Sequence, residues 1–133
     1  MVNVAVPLDV VASVSSWLRA RDIDARTQVP TVRRNGMVRV SRVGGVPVKD
    51  NVRDQPRLLI ECWHEDEGES FDLAQLIFGL MEFAEKTQAL DTIGATRVQP
   101  APPVNYQDPY APDMTRHQLT VEMTTLMGRM EIE

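Results

Sequence analysis

The sequence predicts an α+β domain: a mostly antiparallel sheet of about five strands with two main helices on one face, in the order α-β-β-β-α-β-β. Three observations predict it. Segments 8–21 and 70–86 carry apolar residues at helical spacing, and segments 57–64 and 117–127 alternate apolar and polar residues. The strands come in runs rather than one after each helix, which is the α+β arrangement. At 133 residues the chain makes one domain with a sizeable core.

The first helix, 8–21, places Val10, Val11, Val14, Trp17 and Leu18 on one face and Ser15, Ser16 and Arg19 largely on the other. Asp9 suits its positive end and the arginines its negative end. The valines weaken its intrinsic propensity, so packing must hold it. "RDIDA" breaks it. "QVPTVRRNGMVRVSRV", 28–43, reads as a hairpin turning at Asn35-Gly36, with Pro30 marking an edge strand. Residues 44–56 form a long loop without periodicity, of the kind that is functional or disordered. In the strand 57–64, Leu58, Ile60 and Cys62 alternate with Leu59, Glu61 and Trp63.

"HEDEGES" reads as an acidic loop into the second helix, 70–86. That helix is apolar over an unusually wide arc. Leu73, Leu76, Ile77, Leu80 and Ala84 form one stripe, broadened by Phe71, Ala74, Phe78, Met81 and Phe83. A surface helix needs a narrower stripe, so this one is either the central core helix or is covered by a second chain. A short strand follows at 93–98. Segment 99–113 holds five prolines and is expected to be extended and stiff. In the last strand, 117–127, Leu119, Val121 and Met123 alternate with Gln118, Thr120 and Glu122.

Composition excludes several classes. With 43% hydrophobic and 25% charged residues the chain is that of an ordinary soluble domain. It has no run of 18 apolar residues to span a membrane, and its first residues lack the basic and cleavage features of a secretory signal. One cysteine, Cys62, permits no internal disulfide, lacks zinc co-ligands and suits a reducing cytoplasm. The net charge of −5 argues against non-specific DNA binding. That charge is uneven: residues 1–60 carry +5, 61–91 carry −8 and the remainder −2. Such asymmetry suits head-to-tail contacts between copies or, more blandly, two solvated faces.

No motif specifies catalysis, and no cofactor is implied. "VRVSRVGG" ends in two glycines, but a phosphate cradle needs a helix start directly after them, and "VPVKDNVRDQP" cannot supply one. Cys62 and His64 share one strand face and read as packing residues. "EDEGESFD" lacks the ligand rhythm of a calcium loop. His117 stands alone at a strand start. What remains are interaction features: the wide apolar helix, an arginine-bearing hairpin, a long loop, a stiff proline segment, and Trp63 on the face opposite Leu58 and Ile60. Arginine supplies 12 of the 14 basic residues, and its planar fork suits carboxylates across an interface.

Several of these pieces occur in order along the chain: "WLRAR", then "VPTVRRNGMVRVSRVGG", "VRDQPRLLIECWHED", "ESFDLAQLIFGLM" and "YQDPYAPDMTRHQLTVEM". In this series the chain resembles the tail terminator (tail completion) proteins of long-tailed bacteriophages, particularly those of actinobacteria. The resemblance implies a non-enzymatic structural subunit that assembles, as a hexameric ring, in the host cytoplasm. In the virion the ring sits at the tail–neck junction, where it caps the tail tube, stops its polymerisation and offers a surface to the head. The implied partners are further copies of the chain, the tail tube protein and a head-completion or neck protein, with no membrane and no specific nucleic acid. Matching positions are Arg42, Gly44, Gly45, Asp54, Pro56, Arg57, Trp63, Pro109 and Arg116. Together with Arg39, Arg53 and Phe78 they are the interface candidates, and loops 44–56 and 99–113 are expected to reach neighbours or tube. The ending "GRMEIE" departs from the pattern and puts a docking tail in doubt.

Two other readings stay open. A head–tail connector of the stopper or adaptor kind would show a basic inner surface. A small α+β enzyme would have to draw on His64, His117 and the acidic loop. The ring reading predicts that Leu76→Asp or Phe78→Asp destroys folding or assembly, and that charge reversal at Arg39 and Arg42 weakens self-association with the fold intact. Circular dichroism and native mass of the variants check both.

Overall fold

One long strand organises the sheet. The computed structural model of the protein describes residues 1–133. Its elements are β1 (Val2–Pro7), α1 (Val10–Arg19), β2 (Asp24–Arg26), β3 (Met37–Gly44), β4 (Arg53–Asp54), β5 (Arg57–His64), α2 (Glu67–Thr87), a 3-10 turn at Asp91–Ile93, β6 (Arg97–Pro100), β7 (Val104–Asn105) and β8 (Thr115–Ile132). The α+β class and the two helices agree with the sequence. The sheet is larger than expected, with eight strands, and it is mixed. Its main path runs β1-β8-β5-β3-β2, and β4, β6 and β7 also pair with β8. Only β2 and β3 are parallel.

Alternation along β5 and β8 decides which face is buried. Leu58 and Ile60 meet Val121 and Leu119 across the strand pair, Cys62 lies opposite His117, and Met123 continues the same face opposite Val98 of β6. Val38 and Val40 of β3 extend this face. Val10, Val14 and Leu18 of α1, with Ala74, Ile77, Met81 and Ala84 of α2, cover it as one continuous core. Both helices therefore lie on one face, as expected. Each fully buried aliphatic side chain there contributes roughly 1.5–3 kcal/mol.

Helix ends follow their caps. Asp9 accepts from Ala12 N at 3.0 Å, which sets the start of α1 two residues later than the periodicity alone suggests. The acidic stretch before α2 is not a loop. Asp66 accepts from Gly68 N and Glu69 N at 2.8 and 3.3 Å, and Glu67 and Glu69 occupy the first turn. Acids that look like solvated loop residues in the sequence thus build the positive end of a helix.

The expected hairpin at 28–43 does not form. Asn35-Gly36 turns the chain, but toward β5: Glu65 N donates to Asn35 Oδ1 and Gly36 N to Trp63 O, each at 2.9 Å. The partner that β3 gains on its other side is β2, running parallel. The strand expected at 93–98 lies at 97–100, displaced by the 3-10 turn. The strand expected at 117–127 runs from Thr115 to Ile132, and its final third pairs with the unforeseen β1 in register Val2↔Ile132 to Pro7↔Met127. "GRMEIE" is therefore largely strand rather than a loose end.

The proline-rich segment is extended, as expected, and acts as a broken edge strand. β6 pairs with β8, Ala101 N donates to Thr120 O, β7 pairs again, and Tyr106 N donates to Arg116 O. Pro100, Pro102 and Pro103 withhold donors, which blunts the outer edge against further strand pairing.

The 44–56 loop is fastened at both ends. β4 and β5 hold one register against β8 across Gln55-Pro56, with Arg53 opposite Leu126 and Arg57 opposite Glu122. Arg42 grips the buried Asp54 with two bonds, at 2.7 and 3.0 Å, and also donates to the Gly44 and Gly45 carbonyls. Gly45 sits at φ +84°, and a Cβ there would lie 1.9 Å from Gln55 O. Gly44 faces only ordinary contacts. Gly45→Ala is therefore expected to lower stability by at least about 2 kcal/mol, and Gly44→Ala to stay within about 1 kcal/mol, as read from urea unfolding.

Candidate assembly surfaces

The residues singled out by the sequence divide between internal fasteners and exposed surface. Arg39 and Arg116 both turn inward onto Glu61, which is buried on the helix-free face of β5. Arg39 Nε lies 2.7 Å from Oε1 and Arg116 Nη1 2.9 Å from Oε2. Arg116 Nε also donates to Tyr106 O at 2.9 Å. Such a pair is costly to break, because removing one partner leaves a buried charge uncompensated. Arg39 and Arg42 are thus committed to buried carboxylates, and reversing them would strike the fold itself. That corrects the expectation that reversing them leaves the fold intact and weakens self-association alone.

Trp63 is likewise not an exposed anchor. It is 1% exposed and forms a second small core with Met37, Ala111 and Met114 on the face opposite the helices. The 106–114 segment folds over it as a flap. Asp108 holds that flap down, accepting from Trp63 Nε1 and Tyr110 N at 2.9 Å each, with Arg33 Nε 3.3 Å away at ion-pair distance. Burial alone would push the Asp108 carboxyl up. The two N–H groups and the Arg33 and Arg116 charges outweigh it and hold the group below the usual carboxylate range. Phe78 is half-buried against the main core. Of the interface candidates, Gly45, Arg53, Arg57 and Pro109 remain exposed, with Arg53 paired to Asp50 and Arg57 to Glu122.

Apolar surface is left uncovered at Val32, at Val104, Tyr106 and Tyr110 of the proline-rich segment, and in three further places. The first is α2. Leu73, Leu76, Leu80 and Phe83 follow a 3-4-3 spacing along the flank away from the sheet, and Leu76 and Phe83 are each at least half exposed. This spacing is a helix-packing seam. The wide arc seen in the sequence is therefore neither a central core helix nor fully covered. Gly79 lies along the helix axis between the turns of Leu76 and Phe83, with Asp72 and Lys86 as its neighbours around the helix, is exposed, and has nothing within 4 Å of a Cβ position. Beside the seam, a groove of about 370 Å³ is bounded by Asn35, His64, Glu69, Asp72, Leu73 and Leu76.

The second is the excursion from β3 to β4, which exposes Val43, Val46 and Val52. It is a built knob. Val48 N and Arg53 O bond at 3.0 Å, and Met127 N ties Val52 O to β8 at 2.7 Å. Asp50 closes the turn by accepting from Val52 N, Arg53 N and Arg53 Nε, and these contacts hold its carboxyl low, at about 2. The third is the β1/β8 ribbon. Val2 faces Ile132 and Val4 faces Met130, and cross-strand partners share a face. Val2, Met130 and Ile132 are each about half exposed. The sequence signalled the first of these surfaces by its apolar width and the second only as a long loop expected to reach neighbours. The ribbon needed knowledge of β1, and the knob valines have no periodicity.

The candidate chemical groups are placed in packing roles. Cys62 lies in the core, and burial pushes its thiol up. His64 Nδ1 accepts from Asp66 N at 2.9 Å at the head of α2. His117 Nδ1 meets Ser70 Oγ at 2.9 Å, and that hydroxyl also takes the His117 N–H and contacts the carbonyls of Cys62 and Thr115. This knot pins the first turn of α2 to the sheet. No group of three His, Cys, Asp or Glu side chains is arranged to hold a metal ion, and no helix is long and apolar enough to cross a membrane. Compared with protein-family models and with curated proteins, the sequence matches none.

Burial holds the His117 imidazole below its usual 6.5, against the opposing pull of Glu67. The unfolded chain then binds a proton that the folded chain refuses. Stability is expected to fall as pH drops below about 6.5, by at most about 1.4 kcal/mol per pH unit, and to level off below the folded value. Urea titrations at several pH values check this, and His117→Asn should flatten that part of the curve.

Proposed function

We propose that the chain is a bacteriophage tail terminator subunit, which closes into a ring on the end of a tail tube and stops the addition of further tube subunits. The observation that carries this reading is a small domain with unlike uncovered apolar surfaces. The α2 seam lies among acids, and the 43–53 knob carries Lys49 and Arg53. Unlike surfaces pair head to tail, and head-to-tail pairing closes into a ring when the rotation per copy allows it. The ordered series of segments in which the chain resembles terminator proteins favours this role among ring-forming ones. The mechanism is steric and adhesive. One face of the ring matches the last tube layer, and the other offers no tube-like docking surface.

The fold suits such a part. Its two faces are fixed by one core and by three buried carboxylates, so surface loops stand on a rigid frame. Rigid presentation limits the ordering cost of association. The proline-blunted edge at 100–103 keeps copies from joining by strand addition, which would yield open filaments.

Infection without the protein is expected to yield tails of irregular and excessive length in electron micrographs, and added protein should cap purified tubes at one end. Tails of normal length in its absence would sink the reading.

A further inference from the structure

Gly79 of α2 has no reason to be glycine within its own chain. It is in the interior of a 21-residue helix, exposed, with helical backbone and open space where a Cβ would be. Glycine there weakens the helix relative to alanine. What it provides is a notch, one residue wide, at the polar border of the seam: along the axis it lies between the turns of Leu76 and Phe83, and around the helix beside Asp72 and Lys86. The notch lies on the side of the helix that faces away from the core.

We infer that this notch receives the 43–53 knob of a second copy, so that each α2 seam holds the preceding subunit's valine loop. The inference rests on the ring reading and names the contact within it. Three features of the two surfaces agree. Both are apolar at the centre: Leu76 and Phe83 on the helix, Val46 and Val52 on the knob. They carry opposite charge at the rim. α2 holds five acids and one lysine, and Glu69, Asp72 and Glu82 take part in no ion pair. The knob presents the exposed Lys49 and Arg53, which exceed its own Asp50, the ion-pair partner of Arg53, by one positive charge. They also match in form, since a turn fixed by Asp50 and Arg42 is a projection and the seam with its adjoining groove is a recess.

Charge selects this occupant over a symmetric one. Two α2 helices packed against each other would bring ten acids together with two lysines, which disfavours a two-fold α2–α2 contact. The contact is therefore between unlike surfaces, and each copy uses both.

The test separates folding from association. Gly79→Leu fills the notch and also replaces an exposed helix glycine. It is expected to raise Tm by a few degrees while weakening self-association by at least roughly tenfold. A merely structural glycine would not move the two in opposite directions. Asp72→Lys with Glu82→Lys, and separately Lys49→Glu with Arg53→Glu, should each weaken association by roughly tenfold, and one chain carrying all four should regain it to within about threefold. Light scattering over a concentration series reads the native mass, with purified tail tubes added where the free chain is monomeric. Unchanged association in Gly79→Leu, or no recovery in the four-fold variant, overturns this contact and leaves the ring reading standing. An unaltered chain that stays monomeric alone and on tubes overturns both.

Discussion

Eighteen residues, Thr115–Ile132, form the strand on which the rest of the sheet depends. β1, β4, β5, β6 and β7 all pair with β8, and only β2 and β3 reach it through another strand. A strand with partners along both edges has little freedom of register. Sliding it by one residue would carry Leu119, Val121 and Met123 out of the core and Gln118, Thr120 and Glu122 into it. The apolar alternation of one segment therefore sets where every neighbour lies.

The two faces of the sheet are held by different physics. On the helix face the cohesion is apolar and continuous, and it includes residues from both helices. On the other face a small apolar cluster around Trp63 is joined by local ion pairs, Glu61 under Arg39 and Arg116 and Asp108 under Arg33 and Trp63, while the Asp54–Arg42 pair lies on the helix side, in register with Thr125 and Leu58. Ion pairs of this kind add less net stability than apolar packing, but each fixes one geometry. Here each fastens an otherwise irregular segment: the 106–114 flap or the 44–56 excursion. The arginines that dominate the basic residues of this chain largely work inside it.

How much of this was legible follows from the period of each signal. Helices α1 and α2 and strand β5 announce themselves by spacing, and β8 does so for its first two thirds. Their boundaries then depend on caps such as Asp66, whose acidic neighbours read equally well as a loop. β1 has the alternation Val2, Val4, Val6, yet six residues of it do not distinguish a strand from an extended terminus. The Asn-Gly turn was recognised, but local turn chemistry says nothing of which strand lies beyond it, and tertiary bonds to Trp63 and Glu65 decided that. Trp63 was placed on the correct face, while its burial depended on a flap fifty residues away. The α2 seam was legible as excess apolar width. The knob was legible only as a long loop expected to reach neighbours, because isolated valines in an aperiodic segment carry no pattern.

The place of β8 in the chain has a consequence for synthesis. All five strands that pair with it emerge from the ribosome before it does. At about 5–20 residues per second, β1 waits roughly 6–25 seconds for its partner. During that interval its valines have no strand to join, and β5 and α2 have only the partial sheet of β2 and β3. Long-range pairings of this sort form slowly, and such waiting strands invite non-native pairing between neighbouring nascent chains. Folding is then a late, concerted event, and a polysome would carry many unfolded copies until each completes its β8.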